Sequence, residues 1–155
     1  MIVVTGASGQ LGGLIARELL GRVESDRLRL VTRDPGRLGD IPAAVDVARA
    51  DFDDPAGLPA AFAGGSTLLL VSTDTITDRA AQHVRAIDAA REAGIRRVVY
   101  TSMTSPGVDN PALIADSHRA TEEHLRDSGI DWTILRCGFY ADFQVFEAAD
   151  ALASG

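Results

Sequence analysis

Residues 4–13 read VTGASGQLGG, which places Gly6, Gly9, Gly12 and Gly13 within eight positions and runs directly into LIARELL at residues 14–20. Glycine costs conformational entropy at a helix start unless something must approach the backbone there. The preceding Ile2-Val3-Val4 is a β-branched run ended by Thr5-Gly6, which reads as a buried strand. From Gln10 onward, Leu11, Leu14, Ile15 and Leu19 recur at helical spacing, with Gly21 as the stop. The glycines therefore sit at a strand-to-helix turn, where free N–H groups and the helix dipole favour an anion. Gly6 permits the tight turn, Gly9 lets a phosphate reach the backbone, and Gly12 lets helix pack on strand. The spacing G-x-x-G-x-x-G is one residue longer at its start than the usual dinucleotide fingerprint. Its position after the first strand and before a helix selects dinucleotide binding over a merely structural turn. Gly6, Ala7, Ser8, Gly9, Gln10, Leu11 and Gly12 are expected to hold the diphosphate.

Outward from this turn, strands and helices alternate. LRLVT (28–32), the weaker VDVARAD (45–51), TLLLVS (67–72), RVVYTS (97–102) and WTILR (132–136) read as further strands. The Pro- and Gly-containing DPGRLGD (34–40) reads as a loop. Helices are expected from Asp54-Pro55 to about Ala63, from Asp78 to Ala93, from Pro111 to about Ser128, and from Ala141 to about Ala153. Continuous apolar strands imply burial on both faces, hence a parallel sheet between helices. The expected fold is an α/β doubly wound, Rossmann-type sheet of order 3-2-1-4-5-6 with helices on both faces. Residues 1–155 are expected to form one NAD(P)-binding domain, with no separate substrate domain in this chain.

Composition narrows the function classes. The chain has 155 residues, 46% hydrophobic, with a net charge of −7. That charge argues against a direct nucleic-acid partner. One cysteine, Cys137, excludes an internal disulfide and a cysteine-cluster metal site. No signal-peptide pattern and no apolar run near the length of a membrane span occur, so a cytoplasmic location is expected. There is no lysine, so no lysine-dependent chemistry operates here.

Further residues fall at the ligand edge of such a sheet. Arg33, at the end of the second strand, is placed to accept a ribose 2′-phosphate, with Arg37 in support; Asp34, one step on, would instead suit a 2′-hydroxyl. NADPH is therefore expected over NADH. Asp51-Phe52 follows the third strand beside the adenine position, where Asp51 would accept from the amine and Phe52 would wall the ring; the alternative is an acidic helix-capping cluster with Asp53 and Asp54. Ser72 and Thr73 end the fourth strand, and Thr101 ends the fifth. These hydroxyls would line the cofactor ribose and the substrate cleft, or serve turns.

TGASGQLG (5–12), VTRDP (31–35), ADFDD (50–54), LLLVST (68–73), AAREAGIRRVVYTS (89–102) and EEHLRDSGIDWTILRCGFY (122–140) together resemble the NmrA-like atypical short-chain dehydrogenase/reductases. The resemblance is strongest to the branch holding bacterial NAD(P)H:quinone oxidoreductase and triphenylmethane reductase, and it covers essentially the whole chain. It implies hydride transfer from NADPH to a quinone-like or other conjugated small-molecule acceptor. The wider superfamily carries Tyr-x-x-x-Lys after the fifth strand. Here Ile114 and His118 stand at those places, and the quinone reductase branch is similar in having histidine there. His118 would orient the nicotinamide ribose or deliver a proton, or else be a solvated helix residue. His83 and His124 are expected to be structural. Family members run to nearly twice this length, with a C-terminal part that closes over substrate, so that part is missing here by truncation or in a natural short form. Phe139 and Tyr140 resemble the substrate-side wall, near Arg136. An uncovered apolar face would promote homo-oligomers. The alternative function is a non-catalytic, NAD(P)-binding redox sensor of the NmrA-like type. An isomerase or epimerase role is disfavoured by the absent Tyr–Lys pair.

Overall fold

β1 (Ile2–Val4) is only three residues long, yet Val3 and Val4 are fully buried in two different cores. That is the period-two alternation of a strand covered on both faces. The computed structural model describes residues 1–138, 140, 141, 145, 148 and 152. After β1 come α1 (Gln10–Leu20), β2 (Leu28–Thr32), β3 (Asp46–Arg49), α2 (Leu58–Phe62), β4 (Thr67–Leu70), α3 (Arg79–Glu92), β5 (Arg97–Met103), α4 (Ala115–Asp127) and β6 (Asp131–Cys137). The sheet order is β3-β2-β1-β4-β5-β6, with every pairing parallel. The expected doubly wound topology is the one observed.

The same alternation divides β4. Leu68 and Leu70 join Val3, Val98 and Tyr100 in a core with Leu58 and Phe62 of α2, Ile87 and Ala90 of α3, and Leu125 of α4. Leu69 and Val71 join Val4, Leu28 and Leu30 under Ala16, Leu11, Ile15 and Leu19 of α1. Among the described residues, α1 covers one face and α2, α3 and α4 cover the other. None of these helices is long and apolar enough to cross a membrane.

Boundaries differ from expectation where side chains take over backbone bonding. β4 stops at Leu70 instead of Ser72, because the Val71 amide donates to Thr5 Oγ1 at 3.1 Å and the Ser72 amide to Thr101 Oγ1 at 2.9 Å. β3 is shorter than the expected 45–51; it begins after a turn in which the Val45 amide donates to the Pro42 carbonyl at 3.0 Å. α4 starts at Ala115 rather than Pro111. There Asn110 closes a turn of its own: its Oδ1 accepts the Ala112 amide at 2.9 Å and its Nδ2 donates to the Ser105 carbonyl at 2.8 Å. Phe139 and most of the expected helix at 141–153 lie outside the described residues.

Candidate functional site

The Gly-rich turn is shaped by steric necessity. Gly6 has φ +63°, a left-handed conformation that favours glycine. A Cβ on Gly12 would land on the Gly6 carbonyl, and one on Gly9 would lie 3.2 Å from the same oxygen. The chain from β1 thus folds tightly back on the start of α1. Gly9 is the N-cap and has no side chain to cap the helix, and no acidic residue occupies its first turn. Helix geometry leaves first-turn N–H groups without intrahelical acceptors, so Leu11 and Gly12 present donors at an uncompensated positive end.

This end of α1 opens on a cleft of about 440 Å³ along the carboxyl ends of β1, β2, β3 and β4. Gly6, Ser8, Gly9, Gln10, Leu11 and Gly12 form one wall; Arg33 and Arg37 lie at the β2 end; Asp51 and Phe52 follow β3; Ser72 and Thr73 follow β4. Eleven of the residues named from sequence as cofactor-binding therefore converge on one cleft, as Arg37 does.

Three others have different work. Ala7 is buried, and its amide donates to the Val31 carbonyl at 3.3 Å, so it fastens the turn to β2 and is not among the residues that line the cleft. Thr101 is buried and spends its hydroxyl oxygen on the Ser72 amide, which holds the loop after β4 and does not line the cleft. His118 is neither a cleft residue nor a solvated one. It is 4% exposed, because with Ala115, Thr121, Glu122 and Leu125 it forms the inner face of α4.

His118 ends a buried polar chain. The Thr73 amide can only donate, so His83 Nε2, 3.1 Å away, is the unprotonated nitrogen. His83 Nδ1–H then faces Thr121 Oγ1 at 3.1 Å and the Tyr100 hydroxyl at 3.3 Å. Thr121 donates to the Ser117 carbonyl at 2.8 Å, and the Tyr100 hydroxyl is hydrogen-bonded to His118 Nδ1 at 2.6 Å. Burial holds His83 down to about 3, with help from His118 and Arg79, and holds His118 down to about 4, with help from Arg79. Burial pushes Tyr100 up. The two histidines are buried and held neutral. His124 bridges α4 to Asp88 of α3 at 2.9 Å.

Next to this chain, Glu122 is 1% exposed and accepts from Ser102 at 2.7 Å, Arg126 at 2.7 Å and Arg136 at 2.7 and 3.1 Å. Burial alone would raise its carboxyl, but the bonds from Arg136, Ser102 and Arg126 prevail and hold it at about 2. Arg136 is thus committed to Glu122. Tyr140 is 45% exposed and is not among the residues that line the cleft.

At the β2 end, Asp34 turns its carboxylate into its own loop, where Oδ1 accepts the Gly36 amide at 3.0 Å. Asp34 does not line the cleft, whereas Arg33 and Arg37 do. Arg49 of β3 donates from Nε to the Arg33 carbonyl at 3.2 Å and steadies that position.

A family model described as NAD(P)H-binding matches residues 6–149, from the first glycine of the turn to beyond β6. The chain belongs to this NAD(P)H-binding family. It is 37% identical to quinone oxidoreductase 2 of Escherichia coli (strain K12) over 156 residues, which cover 100% of this chain and 54% of that protein. The crystal structure of the NADPH-dependent quinone oxidoreductase from Escherichia coli complexed with NADPH superposes with a TM-score of 0.92, covering 100% of this chain and 55% of the other. Triphenylmethane reductase from Citrobacter sp., complexed with NADP(H), superposes with a TM-score of 0.86 at 36% identity, covering 92% of this chain and 51% of the other. The chain spans about half the length of these relatives.

The residues of this NAD(P)H-binding family member suit a dinucleotide on structural grounds. Side chains on Gly9 or Gly12 would crowd the turn that presents the α1 amides. Two buried polar atoms of the cleft wall, Thr73 Oγ1 and Gln82 Oε1, have no hydrogen-bond partner among the described residues. Buried polar groups are normally satisfied, and a polar ligand in the cleft would satisfy these. Gln82 was not recognised from sequence, because its role depends on Asp53, 29 positions earlier.

Proposed function

We propose that the cleft binds NADPH and that the chain is the cofactor-binding part of a reductase passing hydride to a quinone-like or other conjugated small molecule. The observation that carries this reading is the joining of the uncapped α1 terminus and the Arg33–Arg37 pair in one cleft. The amides of Leu11 and Gly12 would hold the diphosphate. Arg33 and Arg37 would pair with the 2′-phosphate, while Asp34 has one carboxylate oxygen engaged in its own turn and does not line the cleft. Asp51 and Phe52 would flank the adenine, and Ser72 and Thr73 the ribose nearer the nicotinamide. When bound, the reduced nicotinamide supplies the hydride. Protons for the reduced acceptor would come from water, since His118 is 4% exposed and is not among the residues that line the cleft.

The burial of His118 favours a second reading, a redox sensor that binds the dinucleotide without turnover. Both readings predict that calorimetric titration of the folded chain detects NADPH, more tightly than NADH. They part on a second assay, NADPH oxidation with a panel of quinones. Turnover supports the reductase; tight binding without oxidation of any acceptor supports the sensor. Absence of binding to either dinucleotide contradicts both.

A further inference from the structure

Gln82 lies on the inner side of α3, is 4% exposed, and lines the cleft together with Asp51 and Phe52. Its carboxamide has one possible orientation. Nε2 donates to Asp53 Oδ2 at 3.0 Å, and a carboxylate only accepts, so the nitrogen must face Asp53. Asp53 is itself held in place: Arg85 Nη2 donates to Oδ1 at 2.6 Å, while Arg85 Nε donates to the Phe52 carbonyl. The carboxamide oxygen is left as a buried acceptor of fixed direction, and it has no partner among the described residues. Asp51, the acceptor first suggested for the adenine amine, has its Oδ1 engaged by the Asp53 amide at 3.1 Å.

We infer that Gln82 Oε1 selects the purine of the dinucleotide by accepting from the exocyclic amine of adenine. This rests on the proposed binding of NADPH in the cleft. A base carrying an oxo group at that position would set acceptor against acceptor, and a buried acceptor left unpaired is costly. Asp53 acts through Gln82: it decides which end of the carboxamide meets the base.

The test compares NADPH with reduced nicotinamide hypoxanthine dinucleotide phosphate, whose base carries an oxo group in place of the amine. Binding of each is measured by calorimetry. The unaltered chain should bind NADPH more tightly by roughly tenfold or more. Gln82→Met should weaken NADPH roughly tenfold, leave the hypoxanthine analogue nearly unchanged, and bring the affinity ratio close to one. The second variant, Asp53→Asn, alters a half-exposed side chain and lets the carboxamide turn over, since asparagine can donate to Gln82 Oε1. Its ratio should fall to one or invert in favour of hypoxanthine. An unaltered ratio in Asp53→Asn, with both dinucleotides still bound, would overturn the inference and leave the NADPH reading standing. Failure of the unaltered chain to bind either dinucleotide would overturn both.

Discussion

The Tyr100 hydroxyl lies 2.6 Å from His118 Nδ1, and both residues are buried between β5, α3 and α4. His83 and His118 are held down to about 3 and about 4 by burial, against the ordinary 6.5, with neighbouring Arg79 acting in the same sense. Below pH 6.5 the unfolded chain therefore binds protons that the folded chain refuses, so folding stability falls as the pH falls. Glu122, held at about 2 against 4.5, adds a loss of the same sign below pH 4.5. Stability attributable to these groups should be level above pH 6.5 and decline below it, with Glu122 adding to the loss from pH 4.5 and the histidine contributions ending at about 4 and about 3. Urea unfolding midpoints measured across this range check the sequence of events; a midpoint that rises on acidification contradicts it.

Gly12→Ala should damage both fold and binding. The added methyl meets the Gly6 carbonyl, a backbone atom that cannot move aside without opening the turn. A loss of about 1–3 kcal/mol in unfolding free energy is expected, with NADPH affinity reduced as the α1 amides are displaced. Gly57→Ala is the control: no atom lies within 4 Å of its added methyl, and its φ of −83° suits any residue. That change should be neutral or stabilise slightly by reducing unfolded-state freedom. Equal losses in the two variants would contradict the steric account.

Arg33→Ala should separate the two dinucleotides. Its guanidinium and that of Arg37 are the cations lining the β2 end of the cleft. Removing one charged hydrogen-bonding partner of a phosphate should weaken NADPH roughly tenfold or more and leave NADH nearly unaffected. Calorimetric titration of both dinucleotides reads the ratio directly. Equal weakening would mean that the side chain shapes the loop without reading the phosphate.

The alternation in Ile2–Val4 and Thr67–Leu70 made the sheet legible, because two-sided burial is written into consecutive positions. The Gly turn was legible for a similar reason: Gly9 and Gly12 are constrained by the Gly6 carbonyl a few residues away, and Gly6 by its own left-handed φ. What the sequence concealed depends on distant partners. His118 reads from sequence as a ribose-orienting or proton-delivering residue or a solvated one, and its burial shows only when Tyr100 and His83 are brought to it from β5 and α3. Pro111 reads as a helix start, but the Asn110 side chain closes a turn that delays the helix to Ala115. Thr101 sits at the ligand edge by strand position, and only the short β4 explains why its hydroxyl is needed by Ser72.

Glu122→Gln should destabilise the chain by about 2 kcal/mol. The carboxylate accepts from Ser102, Arg126 and Arg136, and so joins β5, α4 and β6. The penalty is moderate because the guanidinium groups of Arg126 and Arg136 remain partly in water and are not stranded when the charge is removed. Urea unfolding at neutral pH measures the loss. The acid-induced decline below pH 4.5 should also become shallower in this variant, which separates the role of Glu122 from that of the histidines.

His118→Gln distinguishes a positioning residue from a proton donor. Glutamine can still accept from the Tyr100 hydroxyl, so the buried bond at β5 is replaceable while the imidazole is lost. A histidine acting as general acid contributes roughly 10²–10⁴-fold to a rate. Because His118 is 4% exposed and does not line the cleft, the variant should lose less than about tenfold in kcat, with KM for NADPH little changed. The pH profile of NADPH oxidation should likewise show no step near 6.5 in either protein, since burial keeps this imidazole neutral down to about 4. A hundredfold fall in kcat with an unaltered unfolding midpoint would instead place His118 at the reacting atoms, and the closed arrangement behind Tyr100 would then have to open during turnover.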